Sequence, residues 1–170
     1  ARVPYAALTE VSCREFVFPE ADALISTAPP ELRPERVGHE IRFTNKSRII
    51  VYGCEDEGKA DRLRGPRATR AYVDEAAFID ILPYVVNSVL SYQLLTTSGL
   101  MVLGCSPPKS AGHPFVKYVN DARAQNALVT AKTTEAPHIA AQDIETLKKQ
   151  LGGEDSIDWR REALCEILTD

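Results

Sequence analysis

Residues 47–80 read SRIIVYGCEDEGKADRLRGPRATRAYVDEAAFID. Residues 47–52 and 71–73 are apolar runs rich in β-branched and aromatic side chains, the composition of strands. Between them, residues 55–70 are polar and rich in Arg, Gly and Asp, which predicts a loop with room for one helical turn. The second run stops abruptly at Asp74-Glu75. Its exit decides the reading of the fold, because α/β sheets bind ligands beyond the carboxyl ends of their strands.

Working upstream, residues 40–44 predict another strand. Asn45-Lys46 forms the turn of a hairpin, since Asn tolerates the left-handed conformation such turns need. Pro29, Pro30 and Pro34 make a loop. Residues 3–8 predict a buried strand, followed by an amphipathic helix to about Ile25 that opens on a Ser12/Glu15 capping box. Downstream, Ile81, Leu82, Val85, Val86, Val89 and Leu90 have a helix period over residues 80–95, and Pro83 sits in the first turn, where proline is tolerated. Leu100–Leu103 is continuously apolar and predicts a central strand, stopped by Gly104-Cys105-Ser106-Pro107-Pro108. Residues 114–123 predict a helix and residues 127–133 a strand. A further helix carries Ala140, Ile144, Leu147 and Leu151 and is closed by Gly152-Gly153. A last helix spans about 156–168 with Trp159. Strands alternating with helices imply an α/β fold, a mostly parallel sheet flanked by helices.

The 170 residues suffice for one domain, and 44% apolar with 26% charged residues excludes a disordered chain. Twenty Lys plus Arg against 24 Asp plus Glu leaves a net charge of −4, which argues against a basic coat along the whole chain. Asp80 or Asn87 interrupts the longest apolar runs, so no segment is expected to span a membrane. The opening Ala1-Arg2-Val3-Pro4-Tyr5 has no signal or transit character and reads as a start within a longer chain. Cys13, Cys54, Cys105 and Cys165 lie far apart, and His39, His113 and His138 are isolated. That spacing predicts neither a zinc site nor a disulfide framework, but reduced thiols and surface or capping histidines.

Two motifs compete for a phosphate. Residues 53–59 match G-x-x-x-x-G-K, yet the next residue is Ala60 where a phosphate loop needs a Ser or Thr hydroxyl. Glu55, Asp56 and Glu57 would repel phosphates, and Gly65-Pro66 stops any following helix. The expected structure is a strand end followed by an acidic surface loop. Asp74-Glu75 after a hydrophobic strand has the Walker B arrangement, in which the first carboxylate holds Mg²⁺ and the second polarises the attacking water. The structural alternative is an Asp capping a helix. Gly104-Cys105-Ser106-Pro107-Pro108 begins 30 residues after Asp74, and Ser106 on its rigid Pro turn could sense a γ-phosphate, or the segment could be a plain turn.

Taken together, residues 47–80, 101–119 (MVLGCSPPKSAGHPFVKYV) and 158–170 (DWRREALCEILTD) resemble the ATPase domain of tailed-bacteriophage terminase large subunits, the viral DNA-packaging motors. Residues 3–20 resemble the strand and helix that follow the phosphate-loop helix in that family. The resemblance implies a P-loop NTPase (ASCE/RecA-like) fold, incomplete at its N-terminal P-loop strand. Residues 1–152 would form the ATPase core after Walker A, and 153–170 a helical linker leading to an absent nuclease domain. It implies Asp74 as the Mg²⁺ ligand, Glu75 as the catalytic glutamate and Ser106 in the coupling motif. Arg64 would be a possible arginine finger on a neighbouring subunit's ATP, where such a residue is worth roughly 10³–10⁵ in rate. A local ion pair with a carboxylate such as Asp61 competes with that role. The implied cofactor is Mg²⁺ and the substrate ATP. The implied partners are double-stranded DNA, the portal protein, the terminase small subunit and further copies in a ring on the portal, all in the host cytoplasm. Lys109 and Lys117 are candidate DNA contacts, with solvated lysines as the plainer reading.

The family's Walker A and adenine segments would lie before Val3 and its nuclease after Asp170. The 170 residues alone are therefore expected to bind ATP poorly, and to fold marginally or by self-association. A helicase-like ATPase is the alternative suggested by Asp74-Glu75-Ala76, although Gly-Cys-Ser-Pro-Pro replaces the usual Ser-Ala-Thr. A decayed, non-catalytic prophage remnant is a third reading.

Overall fold

The computed structural model describes residues 1–168. Its contacts divide the chain into two compact units, Ala1–Cys105 and the residues from Ser106 onward. The first unit holds a six-stranded sheet formed by β1 (Arg2–Ala7), β2 (Glu35–Val37), β3 (Glu40–Arg42), β4 (Arg48–Gly53), β5 (Arg70–Val73) and β6 (Leu100–Leu103), in the order β2-β3-β4-β1-β5-β6. The four strands from β4 to β6 run parallel, whereas β2 and β3 extend the sheet as an antiparallel ribbon. The expected mostly parallel α/β sheet is therefore present. A turn at Asn45-Lys46 joins β3 and β4 as expected, but the left-handed residue is Lys46 (φ 65°) and not Asn45, whose side chain instead accepts from Ser47 N at 2.9 Å.

The β1 strand lies between β4 and β5, and its two small residues Ala6 and Ala7 let both faces pack closely at its carboxyl end. Ala6 and Ala7 are fully buried, and Val51 on β4 and Ala71 and Val73 on β5 are buried beside them. After β1 comes a continuous helical run made of α1 (Glu10–Ser12), a π-helical turn at Cys13–Val17 and α2 (Phe18–Thr27). The N-cap is Thr9, whose Oγ1 accepts from Ser12 N at 2.9 Å, so the helix starts earlier than a Ser12/Glu15 box predicts. Gly53 lies against this helix start, where a Cβ would collide with Glu10 N and the Thr9 backbone. Ala7, Cys13, Phe18 and Val51 form a core cluster on this side, with Tyr5, Val17 and Ile49 packed around it.

Residues 55–70 hold one short helix, α3 (Glu57–Ala60), and a 3₁₀ turn at Asp61–Leu63. Between β5 and β6 the chain is helical through a π-helical segment at Tyr84–Leu90 and α4 (Ser91–Leu95), burying Val85, Val86, Val89 and Leu90 as their period predicts. The expectation of a central position for Leu100–Leu103 is corrected. Among the described strands β6 pairs only with β5 and forms an edge, with Leu100 53% and Val102 38% exposed. A continuous apolar run reads as doubly buried, but here one face and one edge are open.

The second unit holds α5 (Pro114–Ala124), capped by His113 Nδ1, which accepts from Phe115 N at 3.1 Å. It also holds α6 (Ala141–Gln150), which ends in Gly152 and Gly153 at φ 94° and 96°. The strand expected at 127–133 is not there: those residues make no ladder, and 133–135 form a 3₁₀ turn. The last helix is also shorter than expected. Its π-helical turn covers Trp159–Ala163, and Cys165 at φ 58° ends it. Residues 169–170 of the expected linker lie outside the described residues.

A buried polar network anchors the base of the sheet. The Arg2 guanidinium donates to Gln93 Oε1, to Leu63 O at 2.7 Å and to Arg64 O at 3.1 Å. Gln93 Nε2 adds bonds to Leu63 O at 3.0 Å and Val89 O at 2.7 Å. Arg2 and Gln93 are only 9% and 3% exposed. Gly65 permits the close approach, since a Cβ there would lie 2.5 Å from Arg2 Cζ. Arg2→Ala strands several buried acceptors and is expected to cost about 2–3 kcal/mol, read as a lower urea midpoint. An unchanged midpoint would contradict the assigned role.

Candidate functional site

The parallel ladder carries Asp74 to the carboxyl end of the sheet. Asp74 N donates to Ala6 O at 2.9 Å, and Gly104 N donates to Val73 O at 2.9 Å. The chain then turns sharply. Glu75 adopts φ 50°, ψ 40°, a left-handed conformation that costs a non-glycine residue roughly 1–2 kcal/mol. The turn is held because Ala76 N donates to Gly104 O at 3.0 Å and Phe78 N to Glu75 O at 2.8 Å. Glu75, not Asp74, occupies the N-cap position of the following 3₁₀ turn, and no side chain caps it. The Asp74 carboxylate is therefore not used as a helix cap.

Each carboxylate has its own tether. Asp74 Oδ2 accepts from the Tyr5 hydroxyl at 2.8 Å, and Oδ1 accepts from Glu75 N at 3.1 Å. Burial, reinforced by the hydrogen bond to Asp74, pushes the Tyr5 phenol well above its usual range. Glu75 is exposed, and its Oε2 accepts from the Cys105 thiol at 3.6 Å. The Cys105 sulfur in turn accepts from Ala77 N at 3.2 Å. Burial is the main cause that pushes the Cys105 thiol up to about 12, so it is protonated at neutral pH and can donate. Tyr5 and Cys105 both escape sequence reading. Tyr5 lies 69 residues upstream of its partner, and Cys105 stands in the strand-end loop where attention falls on the neighbouring hydroxyl of Ser106. Beside Tyr5 and Asp74 opens an apolar cavity of about 600 Å³ between α2 and the sheet, lined among others by Phe16, Leu24, Ile41 and Ile49.

The acidic loop at 55–59 is structural, as expected. Glu55 Oε1 accepts from Glu10 N and from Lys59 Nζ, each at 2.9 Å. Asp56 Oδ1 accepts from Lys59 N at 2.8 Å and caps α3. Burial raises the Glu55 carboxyl, but the bonds from Glu10 N–H and Lys59 outweigh it and hold the group below its usual range. The lysine that a phosphate loop would offer is thus bound to its own loop.

Arg64 is not brought to the acidic pair. Its Nε meets Asp61 Oδ1 at 2.7 Å, Nη1 donates to Ser88 O at 2.6 Å, and Nη2 donates to the Tyr84 hydroxyl at 3.0 Å. Its backbone carbonyl is held by Arg2 at the start of β1, whereas Asp74 pairs with the end of the same strand. The two strand residues that hold them, Arg2 and Ala6, lie about 13 Å apart along β1 at the usual rise. In the free chain Arg64 therefore makes the local ion pair with Asp61. Ser106 begins the second unit. Lys109 and Lys117 are exposed.

The groups that burial keeps neutral give the fold an alkaline limit. Cys13, Cys54 and Cys105 are pushed up to about 12 from 9.0, and Tyr5 is raised above 10.0. Because their folded values are raised, the unfolded chain loses these protons first. Stability is complete below about pH 9 and falls as pH rises toward 12. Urea midpoints measured across that window should decline, and a flat profile would contradict the burial of these groups.

No protein-family profile matches the chain, and no curated protein matches it. Solved structures do. The large terminase of a thermophilic bacteriophage superposes with a TM-score of 0.70 at 18% identity, over 99% of this chain and 40% of that one. The same terminase in complex with ADP gives 0.69 at 16% identity, over 98% of this chain and 41% of that one. The HK97 bacteriophage large terminase gives 0.57 at 12% identity, over 98% and 40%. A mutant of the Thermus phage P74-26 large terminase ATPase domain gives 0.50 at 15% identity, over 99% and 77%. The chain spans about 40% of the length of the whole large terminases it matches. Its six-stranded, mostly parallel sheet thus shares the fold of these phage large terminase structures.

Proposed function

We propose that the chain is the ATPase core of a DNA-packaging terminase large subunit, and that it uses ATP hydrolysis to drive double-stranded DNA into a capsid. The observation that carries this reading is the split tethering of Asp74 and Glu75 at the carboxyl end of β5. One carboxylate is fixed to the sheet through Tyr5, while the other is exposed on a left-handed turn. That is the division of labour which nucleotide hydrolysis needs. The donor set fits Mg²⁺, which takes one or two hard carboxylates and completes its shell with water and phosphates. Asp74 would hold the ion, directly or through a water, and the ion would supply neutralisation of the phosphate charge.

The remaining work is done by this chain's own groups. Tyr5 donates to Asp74 Oδ2 and keeps the carboxylate oriented. Glu75, extending from the next residue, orients a water for in-line attack and accepts its proton. Ser106 belongs to the segment that passes the state of the γ-phosphate to moving parts. Arg64 acts across a ring interface on a neighbouring subunit's nucleotide, exchanging its bonds to Asp61, Ser88 and Tyr84 for that contact. Lys59 is engaged by Glu55, so the phosphate-holding lysine and hydroxyl come from outside residues 1–168. The open edge of β6 is where the sheet can accept a further strand.

Residues 1–152 are assigned to the ATPase core and 153–170 to the linker toward a nuclease domain. The portal protein, the small subunit and a ring of copies complete the machine in the host cytoplasm. Among the described residues no helix is long and apolar enough to cross a membrane.

In protein carrying a phosphate loop, Glu75→Gln is expected to lower DNA-stimulated hydrolysis by roughly 10²–10⁴ while ATP still binds. Retained turnover would remove the catalytic assignment. Arg64→Ala should be inactive alone and regain activity when mixed with phosphate-loop mutants. Unchanged activity of the pure variant would remove the finger role.

A further inference from the structure

We propose that Cys105 is a positioning residue for Glu75, and that the end of β6 thereby sets where the water-activating carboxylate stands. The inference rests on the assignment of Glu75 made above. Two consecutive residues at the exit of β6 grip three consecutive residues at the exit of β5. Gly104 O accepts from Ala76 N at 3.0 Å, Cys105 Sγ accepts from Ala77 N at 3.2 Å, and the same sulfur donates to Glu75 Oε2 at 3.6 Å.

The bond from Ala77 fixes the sulfur, which leaves its proton free to rotate toward the carboxylate. Ala77 is 7% exposed, so little water competes for its N–H. The left-handed backbone of Glu75 launches the side chain in a direction that ordinary turns do not provide, and the thiol secures its far end. Asp74 is held instead by Tyr5 on β1. The far end of the Glu75 side chain therefore answers to the exit of β6, whereas Asp74 Oδ2 keeps its bond to Tyr5 on β1 and Oδ1 its bond to Glu75 N. A displacement of the β6 exit acts first on the Glu75 carboxylate.

Alanine at 105 removes both donor and acceptor, whereas serine keeps both. In the full-length protein, amide exchange of Ala77 should quicken about fivefold in Cys105→Ala, the worth of one ordinary hydrogen bond. It should return most of the way in Cys105→Ser. In the full-length protein with DNA, Cys105→Ala should lower kcat about 10- to 100-fold with KM for ATP unchanged, as a misplaced group does. Cys105→Ser should recover most of that loss. Wild-type exchange and wild-type kcat in Cys105→Ala, beside an inactive Glu75→Gln, would overturn this inference alone. A fully active Glu75→Gln would overturn the assignment of Glu75 and the inference with it. Equal loss in the Ala and Ser variants with a raised KM would mark a general structural defect and also overturn the positioning role.

Discussion

The seam between the exits of β5 and β6 is the constraint on which the candidate site depends. Gly104 donates to Val73 and accepts from Ala76, so the two strand ends are sewn together on both sides of the acidic pair. That seam holds Glu75 in a left-handed conformation which the residue would not choose alone. Release the seam, and the two carboxylates become adjacent side chains on a flexible loop. With it, they are held apart by bonds to different strands.

The opposite end of the sheet is built by another kind of interaction. Arg2 is nearly buried with, among the described residues, no carboxylate in hydrogen-bonding contact, and carbonyl and amide oxygens receive its charge. Those oxygens belong to Leu63, Arg64 and Gln93, so one guanidinium ties β1 to the loop before β5 and to α4. The loop it fixes is the one that presents Arg64. The chain therefore keeps its acidic pair beside one end of β1 and the exposed Arg64 beside the other.

Much of this was legible in the sequence because the physics involved is local. The hairpin turn at Asn45-Lys46, the helix period from Ile81 to Leu90, the strand ending in Asp74-Glu75 and the double-glycine stop of α6 depend on neighbours a few residues away. The acidic loop at Glu55–Glu57 was also readable, because three neighbouring carboxylates repel phosphates; one of them, Glu55, also holds the Lys59 ammonium. What stayed hidden depends on tertiary pairing. Whether Leu100–Leu103 is central or at an edge turns on which strands lie beside it, which four apolar residues do not encode. Residues 127–133 have strand-like character but meet no partner to form a ladder. The Tyr5–Asp74 and Cys105–Glu75 bonds join residues far apart in sequence, and an isolated Tyr or Cys gives no spacing signal.

In the proposed function Asp74 holds the metal and Glu75 activates water. Anomalous diffraction from Mn²⁺ in the full-length protein crystallised with a non-hydrolysable ATP analogue separates the two roles. One peak is expected at the Asp74 carboxylate, in direct or one-water contact, with Glu75 free of the metal and turned toward the terminal phosphate. A peak held by Glu55, Asp56 or Glu57, or one ligated by Glu75 with Asp74 still bound only to Tyr5, would contradict those roles.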